Sequence, residues 1–306
     1  MAASPRPADL FPPPAHVIDR VIAMALEEDL SDAGDVTSQV TLPQDAHGTA
    51  VFRARQLGRV AGGVFLEPIF ARLSRDVRVA ILAPDGADVG PLDAIAEVSG
   101  PAAALLSGER VALNLLSRLC GVATLTSAYV TAVDGAMARI AHTRKTTPGL
   151  RALETYAVRC GGGASHRFGL NDAVLVKDNH IAVAGGVGAA LMAVRARTGH
   201  MVHVSVEVDT LAQLEEALRF SPDVVLLDNF SIAELEKAVR LVGSRCVAEA
   251  SGGVTLDTVR AIAETGVDVI SVGALTHSAP ALDIGLDMEI SAAATAGPDQ
   301  PLRGKR

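Results

Sequence analysis

Residues 202–274 read VHVSVEVDTLAQLEEALRFSPDVVLLDNFSIAELEKAVRLVGSRCVAEASGGVTLDTVRAIAETGVDVISVGA, and two periods alternate along them. The apolar runs VHVSVEV, DVVLLD, RCVAEAS and DVISVG are short and rich in β-branched residues, which reads as buried strands. Between them LAQLEEALRF, IAELEKAVRL and LDTVRAIAET space their apolar residues as a helix does. Strands that alternate with helices form a parallel sheet, because parallel neighbours need a long crossover and a helix supplies it. The rhythm starts further upstream, with strands ARIAHT (138–143) and AVLVK (173–177) and the helical stretch GVGAALMAVRAR (186–197). Six strands result. They fit either a barrel short of eight strands or an open doubly wound sheet, and periodicity does not choose between them.

The residues with chemical character cluster at the strand ends. The six runs end in Thr143-Arg144-Lys145, Lys177-Asp178-Asn179, Glu207, Asp228-Asn229, Ser251-Gly252-Gly253 and Gly273-Ala274. In parallel α/β folds the C-terminal strand ends share one face, where active sites sit. Any one of these polar residues could be a helix cap, but six loaded ends together point to an enzyme. The last two loops each precede a helical stretch, an arrangement suited to phosphate through free backbone N–H groups. Arg144 and Arg167 are forks that match planar carboxylates. Lysine is scarce, four against 23 arginines, yet Lys145 and Lys177 both stand at strand ends. Glu207 and Asp228 at the next two ends suit metal-bound hydroxyls or a developing cation. A plain Lys–Glu salt bridge would also account for Lys177 and Glu207, though not for the arginines. The ligand inferred from these groups carries a phosphate and two carboxylates and brings Mg²⁺.

Before residue 138 the pattern is different. Residues 16–29 place Val17, Ile18, Val21, Ile22 and Leu26 at helical spacing, and 48–54, 77–83 and 94–99 read as strands. A helix is expected over 107–119 with Ser107 as its N-cap. This is an α+β domain ending near residue 115.

Composition closes off other classes. The 306 residues are 49% hydrophobic and 20% charged, as in a packed globular chain. An uncharged apolar run at 181–194 is 14 residues long, below the roughly 20 of a membrane span. The first 14 residues hold five prolines and no apolar signal core, so a cytoplasmic protein is expected. A net charge of −8 argues against nucleic acid or a lipid surface as partner. Residues 139–180 nevertheless carry seven Lys/Arg against three acids, a local +4 that leaves −12 elsewhere, as a small anionic ligand would require. Cys120, Cys160 and Cys246 form no CxxC pair, so neither disulfides nor zinc are implied. Cys160, near His166, reads as packing in preference to a nucleophile.

HTRKTTPGLRALETYAVRCGGGASHRFGLNDAVLVKDNHI at 142–181 resembles the quinolinate phosphoribosyltransferase family (carboxylating nicotinate-nucleotide pyrophosphorylases). So do EEDLSDAGDVTS (27–38), GERVALNLLSRLCGVAT (108–124), VEVD (206–209), LLDNF (226–230), EASGGV (249–254) and SVGALTHS (271–278). The resemblance implies an α/β protein with an N-terminal α+β sandwich-like domain and a C-terminal incomplete, seven-stranded α/β barrel. Its expected limits are a flexible Pro-rich start at 1–15, the first domain at 16–115 and the barrel at 116–278. A last helical segment at 279–292 would return to the first domain, before a flexible tail at 293–306.

The implied reaction joins quinolinate and phosphoribosyl pyrophosphate with Mg²⁺ as cofactor, giving nicotinate mononucleotide, pyrophosphate and CO₂. The implied quinolinate pocket uses Arg110 of a second subunit with Thr143, Arg144, Lys145, His166, Arg167 and Lys177. Lys145, Lys177, Glu207 and Asp228 serve the phosphoribosyl pyrophosphate, with Mg²⁺ at Glu207 and Asp228 directly or indirectly. Lys145, Glu207 and Asp228 are the implied catalytic groups. Ser251, Gly252, Gly253, Val272, Gly273 and Ala274 would hold a phosphate. The implied assembly is a homodimer, open to pairing into hexamers. His142 departs from the Asp or Gly common at its position and reads as a tolerated neighbour of the site. The rivals are a molybdenum-transport-associated relative, which generally lacks the KDNH seen at 177–180, a Schiff-base aldolase barrel using Lys145 or Lys177, and a non-catalytic sensor.

Overall fold

The computed structural model describes residues 10–291, so most of the expected Pro-rich start and all of the tail lie outside the described residues. The chain opens with α1 (Ala15–Leu30), whose Ile18, Val21, Ile22 and Leu26 are buried, and α2 (Val36–Thr41), capped by the Asp35 carboxylate. Then come β1 (His47–Ala54), β2 (Gly58–Arg59), α3 (Leu66–Leu73), β3 (Arg78–Ile81), β4 (Asp88–Val89) and β5 (Ala94–Pro101). The described part of the start is anchored: Pro13 is buried and Arg159 donates to the Phe11 carbonyl at 2.6 Å.

The expected helix over 107–119 is one part of a longer one. α4 runs Ala102–Ala132, 31 residues, across the boundary expected at 115/116. Pro101 starts it, and Ser107 is no cap but lies within the helix and donates to Asp35 Oδ2 at 3.1 Å. Gly121 lies inside the helix and is glycine for packing: a Cβ there would stand 2.0 Å from the Pro280 carbonyl oxygen. Of all the described helices α4 alone is long and apolar enough to cross a membrane, but most of its apolar window is buried inside the protein. It is a core helix.

The parallel unit continues as β6 (Arg139–Ala141), α5 (Arg151–Cys160), β7 (Val174–Val176), α6 (Asp178–Ala184), α7 (Val187–Arg195), β8 (Val204–Val208) and α8 (Leu211–Ala217). β9 (Val224–Asp228), α9 (Ile232–Val242), β10 (Val247–Ser251), α10 (Leu256–Glu264), β11 (Val269–Ser271) and α11 (Ala274–His277) complete it. The sheet order is β6-β11-β10-β9-β8-β7, all parallel, with six strands among the described residues where seven were expected. In the seventh position only a single parallel bridge forms, Ala164 to Ala141 beside β6, because the glycines at 161–163 leave no run able to extend it. Helices pack the sheet by their apolar faces, as Leu235, Ala238 and Val242 do on α9.

The final segment returns as a strand, not a helix. β12 (Ile284–Ser291) pairs antiparallel with β1 from Ala54↔Ile284 to His47↔Ser291, giving the sheet order β12-β1-β5-β3. One apolar cluster runs through both sheets by way of Leu116, Leu119 and Tyr156. Tyr156 ties α5 to the first part by donating to Asp85 Oδ2 at 2.7 Å.

Candidate active site

The strand order puts the ends of β6 to β11 at one mouth. At the β7 edge of the sheet a cavity of about 340 Å³ is lined by Arg144, Arg167, Asn171, Lys177 and His180 against Leu170, Val174 and Leu175. Among the described residues no carboxylate lines it. The Nε atoms of Arg144 and Arg167 are buried with no hydrogen-bond partner. Burial, and then the neighbouring Arg144 charge, lower the pKa of Arg167. Two partly desolvated guanidiniums repelling each other across a cavity form a site that a dianion satisfies.

Behind this pair His142, His166 and Glu249 link three segments. The buried His142 ring takes the His166 backbone N–H on Nε2 at 3.1 Å and donates from Nδ1 to the Thr143 carbonyl at 3.1 Å. Burial holds its pKa down at about 4, so the ring is neutral at pH 7 and this tautomer persists. His166 Nδ1 in turn accepts the Arg167 N–H at 2.8 Å, which puts the His166 proton on Nε2, 3.3 Å from Glu249 Oε1. Glu249 is buried, and its Oε1 lacks an aligned hydrogen bond. Sequence reading passed over Glu249 as a site residue; its signal was a lone carboxylate inside the apolar strand RCVAEAS.

On the next strands, Lys177 Nζ is ion-paired with Glu207 Oε2. The salt bridge weighed from sequence is therefore present, and it engages a carboxylate expected to serve the substrate. His180, also unassigned by sequence reading, accepts the Lys177 N–H on Nδ1 at 3.0 Å and closes the first turn of α6. Asp228 ends β9 in register with Ser251 of β10. Lys145 crosses toward the last loop: its Cδ lies 3.0 Å from where a Cβ on Gly273 would sit.

The two glycine loops differ from expectation. Val272 is buried and its N–H already donates to the Ala141 carbonyl at 2.9 Å, so it shapes the loop without offering a donor. α11, which begins at Ala274 directly after Gly273, is only four residues, and Val254 and Thr255 separate Ser251-Gly252-Gly253 from α10. Any phosphate here depends on local backbone N–H groups more than on a helix dipole.

The loop bearing Arg144 and Lys145 is anchored from below. Glu154, fully buried on α5, accepts from the Thr147 N–H (2.9 Å), the Thr147 hydroxyl (2.7 Å) and Arg118 Nη2 (2.7 Å). Thr276 donates to the Lys145 carbonyl at 2.8 Å. A larger cavity of about 750 Å³ beside α5 also holds arginines, but there Arg151 and Arg159 donate to the Phe168 and Phe11 carbonyls. The smaller cavity is the better anion site.

Arg110 is not brought to it: it is exposed on α4 and does not line the cavity. Cys120 and Cys160 are both buried, which raises their thiol pKa values and matches packing roles. Among the described residues no group of three or more His, Cys, Asp or Glu could cage a metal. The donor set of Asp228 and a lysine-bound Glu207 fits only a Mg²⁺ that shares substrate oxygens and keeps waters.

Fold and site together define an α/β-barrel enzyme whose basic cavity suits a small polyanion. Family models described as quinolinate phosphoribosyl transferase match residues 35–120 (N-terminal domain) and 122–287 (C-terminal domain). The chain belongs to the quinolinate phosphoribosyltransferase family. It is 44% identical over 258 residues to a probable carboxylating nicotinate-nucleotide pyrophosphorylase of Bacillus subtilis, covering 84% of this chain and 89% of that one. The corresponding Mycobacterium leprae protein is 43% identical, over 87% of this chain and 95% of its own. The crystal structure of nicotinate-nucleotide pyrophosphorylase from Ehrlichia chaffeensis superposes with a TM-score of 0.85 at 40% identity, covering 88% and 98% of the two chains.

Proposed function

We propose that this enzyme transfers the phosphoribosyl group of phosphoribosyl pyrophosphate to the ring nitrogen of quinolinate, releasing pyrophosphate and CO₂ and leaving nicotinate mononucleotide for NAD biosynthesis. The observation that carries the reading is the pair of buried, unpartnered Nε atoms of Arg144 and Arg167 beside Lys177, a match for two adjacent carboxylates. His166, whose backbone is held by His142 and whose ring faces Glu249, fixes the position of Arg167 beside it in the chain. Held there, quinolinate presents its nitrogen to the ribose C1.

As the bond to pyrophosphate breaks, positive charge grows on the ribose ring. In this reading Glu207 and Asp228 stabilise it, while Lys145 meets the negative charge of the leaving group. Asp228 and Glu207 would hold a Mg²⁺, directly or through water, and the ion would supply positive charge to offset that of the departing pyrophosphate. Ser251, Gly252, Gly253, Gly273 and Ala274 cradle the phosphate. The cationic pyridinium nitrogen of the nucleotide then stabilises the carbanion left at C2 when CO₂ departs, and water supplies the proton. Charge placement is the whole contribution required of the side chains, in keeping with buried, inert cysteines.

The enzyme works in the cytoplasm as a homodimer, in which Arg110 of one subunit completes the site of the other. Its exposure on α4, outside its own chain's cavity, supports that placement. The test is turnover of quinolinate and phosphoribosyl pyrophosphate with Mg²⁺, following CO₂ and nicotinate mononucleotide together. Equal amounts of both, abolished in Lys145→Ala, are expected. Nucleotide formed from nicotinate without CO₂ would overturn the quinolinate assignment.

A further inference from the structure

We infer that Asn229 is a positioning residue for Asp228 and that its side chain ties the β9 loop to the phosphate loop after β10; the inference rests on the phosphoribosyl-transfer reading above. Only Asn229 and Phe230 separate the end of β9 from Ser231, the N-cap of α9. So short a connection turns sharply, and Asn229 takes the turn with φ of 56°. Glycine is the least costly residue at positive φ, and asparagine is among the few others that tolerate it. An asparagine here therefore brings a side chain that glycine could not.

That side chain faces two site loops. Nδ2 donates to Asp228 Oδ2 at 2.8 Å, which fixes the carboxylate and leaves Oδ1 to accept from substrate. The amide must present its nitrogen to Asp228, because an ionised carboxylate only accepts. Its Oδ1 and Cγ lie 2.2 and 2.6 Å from where a Cβ on Gly252 would stand, so the amide fills space that any other residue at 252 would need. The Asn229 N–H completes the link by donating to the Ser251 carbonyl at 2.9 Å. Gly252 has φ of +90°, so it is glycine for two reasons: its own backbone and its neighbour's amide. One residue thus sets the spacing between the group that meets the ribose and the loop that meets the phosphate.

The test compares Asn229→Gly with Asn229→Asp in the full-length enzyme. Asn229→Gly keeps the turn and deletes the amide. Asn229→Asp keeps shape and turn tolerance but sets a second carboxylate against Asp228. Both are expected to lower kcat/KM for phosphoribosyl pyrophosphate by about tenfold or more, with the KM for quinolinate unchanged within about twofold. If the residue serves the turn alone, Asn229→Gly keeps wild-type kinetics, and that result overturns the inference. Should Asn229→Asp fail to fold, Asn229→Gly still decides, since glycine meets no steric objection at this φ. A wild-type enzyme that makes no nucleotide brings down the parent reading instead; normal wild-type turnover with an unaffected glycine variant brings down only this one.

Discussion

His142 Nε2 accepts the backbone N–H of His166 at 3.1 Å, so a neutral buried imidazole at the end of β6 holds in place the loop that carries Arg167. Protonation would turn that acceptor into a donor facing another donor. Burial, which disfavours the charged ring, also opposes it and keeps the His142 pKa at about 4 against an ordinary 6.5.

That shift makes stability depend on pH. Below pH 6.5 the unfolded chain takes up a proton that folded His142 refuses, so this contribution is complete above pH 6.5 and fades as pH falls toward 4. Its full size is about 3 kcal/mol. Urea unfolding at pH 7.5 and pH 4.5 is expected to show a smaller acid-induced loss in His142→Gln than in the wild type. An equal loss in both would show that other groups govern it.

Arg144 and Arg167 are expected to act as forks as well as charges. Arg167→Lys keeps the charge and loses the paired N–H geometry, so quinolinate binding should weaken about tenfold to hundredfold, as read by calorimetry. A lysine variant that binds as tightly as the wild type would mean that charge alone suffices.

The Arg118–Glu154 pair, with Glu154 fully buried, should be costly to break from one side. Arg118→Met leaves a buried carboxylate short of a partner and should destabilise by about 3 to 5 kcal/mol in denaturant unfolding. Because Glu154 also anchors Thr147, kcat should fall too. The double variant Arg118→Met, Glu154→Gln should recover part of the stability but not the activity.

Thiol chemistry gives an independent check on the mechanism. Cys120, with its pKa pushed up by burial to about 12, and Cys160, pushed higher still, are both buried, whereas Cys246 is half-exposed. Iodoacetamide on the native enzyme should label Cys246 first and leave turnover intact. Loss of activity in step with labelling of Cys160 would reopen covalent catalysis.

Some of this was legible in the chain. The alternation at 202–274 is a local property, since each strand or helix is recognised by the spacing of its own residues, and all six parallel strands lie where the apolar runs are. The loaded strand ends were legible for the same reason. The extent of α4 was not, because Gly121 reads locally as a helix breaker and only the Pro280 carbonyl packed against it shows why glycine stands inside the helix. Nor was the return of the last segment as a strand, which depends on the free edge of β1. Glu249 and Asn229 each stood in a motif read for other residues, and only their neighbours single them out.

The sequence by itself determined the repeating β/α architecture, the anionic nature of the ligand and the residue types at the mouth, because periodicity and charge are carried by residues close in the chain. Tertiary structure alone decided which of those groups meet. It left the Nε atoms of Arg144 and Arg167 unpartnered in one cavity, engaged Glu207 with Lys177, and kept Arg110 outside. Such meetings are non-local, as with Lys177 and Glu207, which lie 30 residues apart, and no local pattern encodes them.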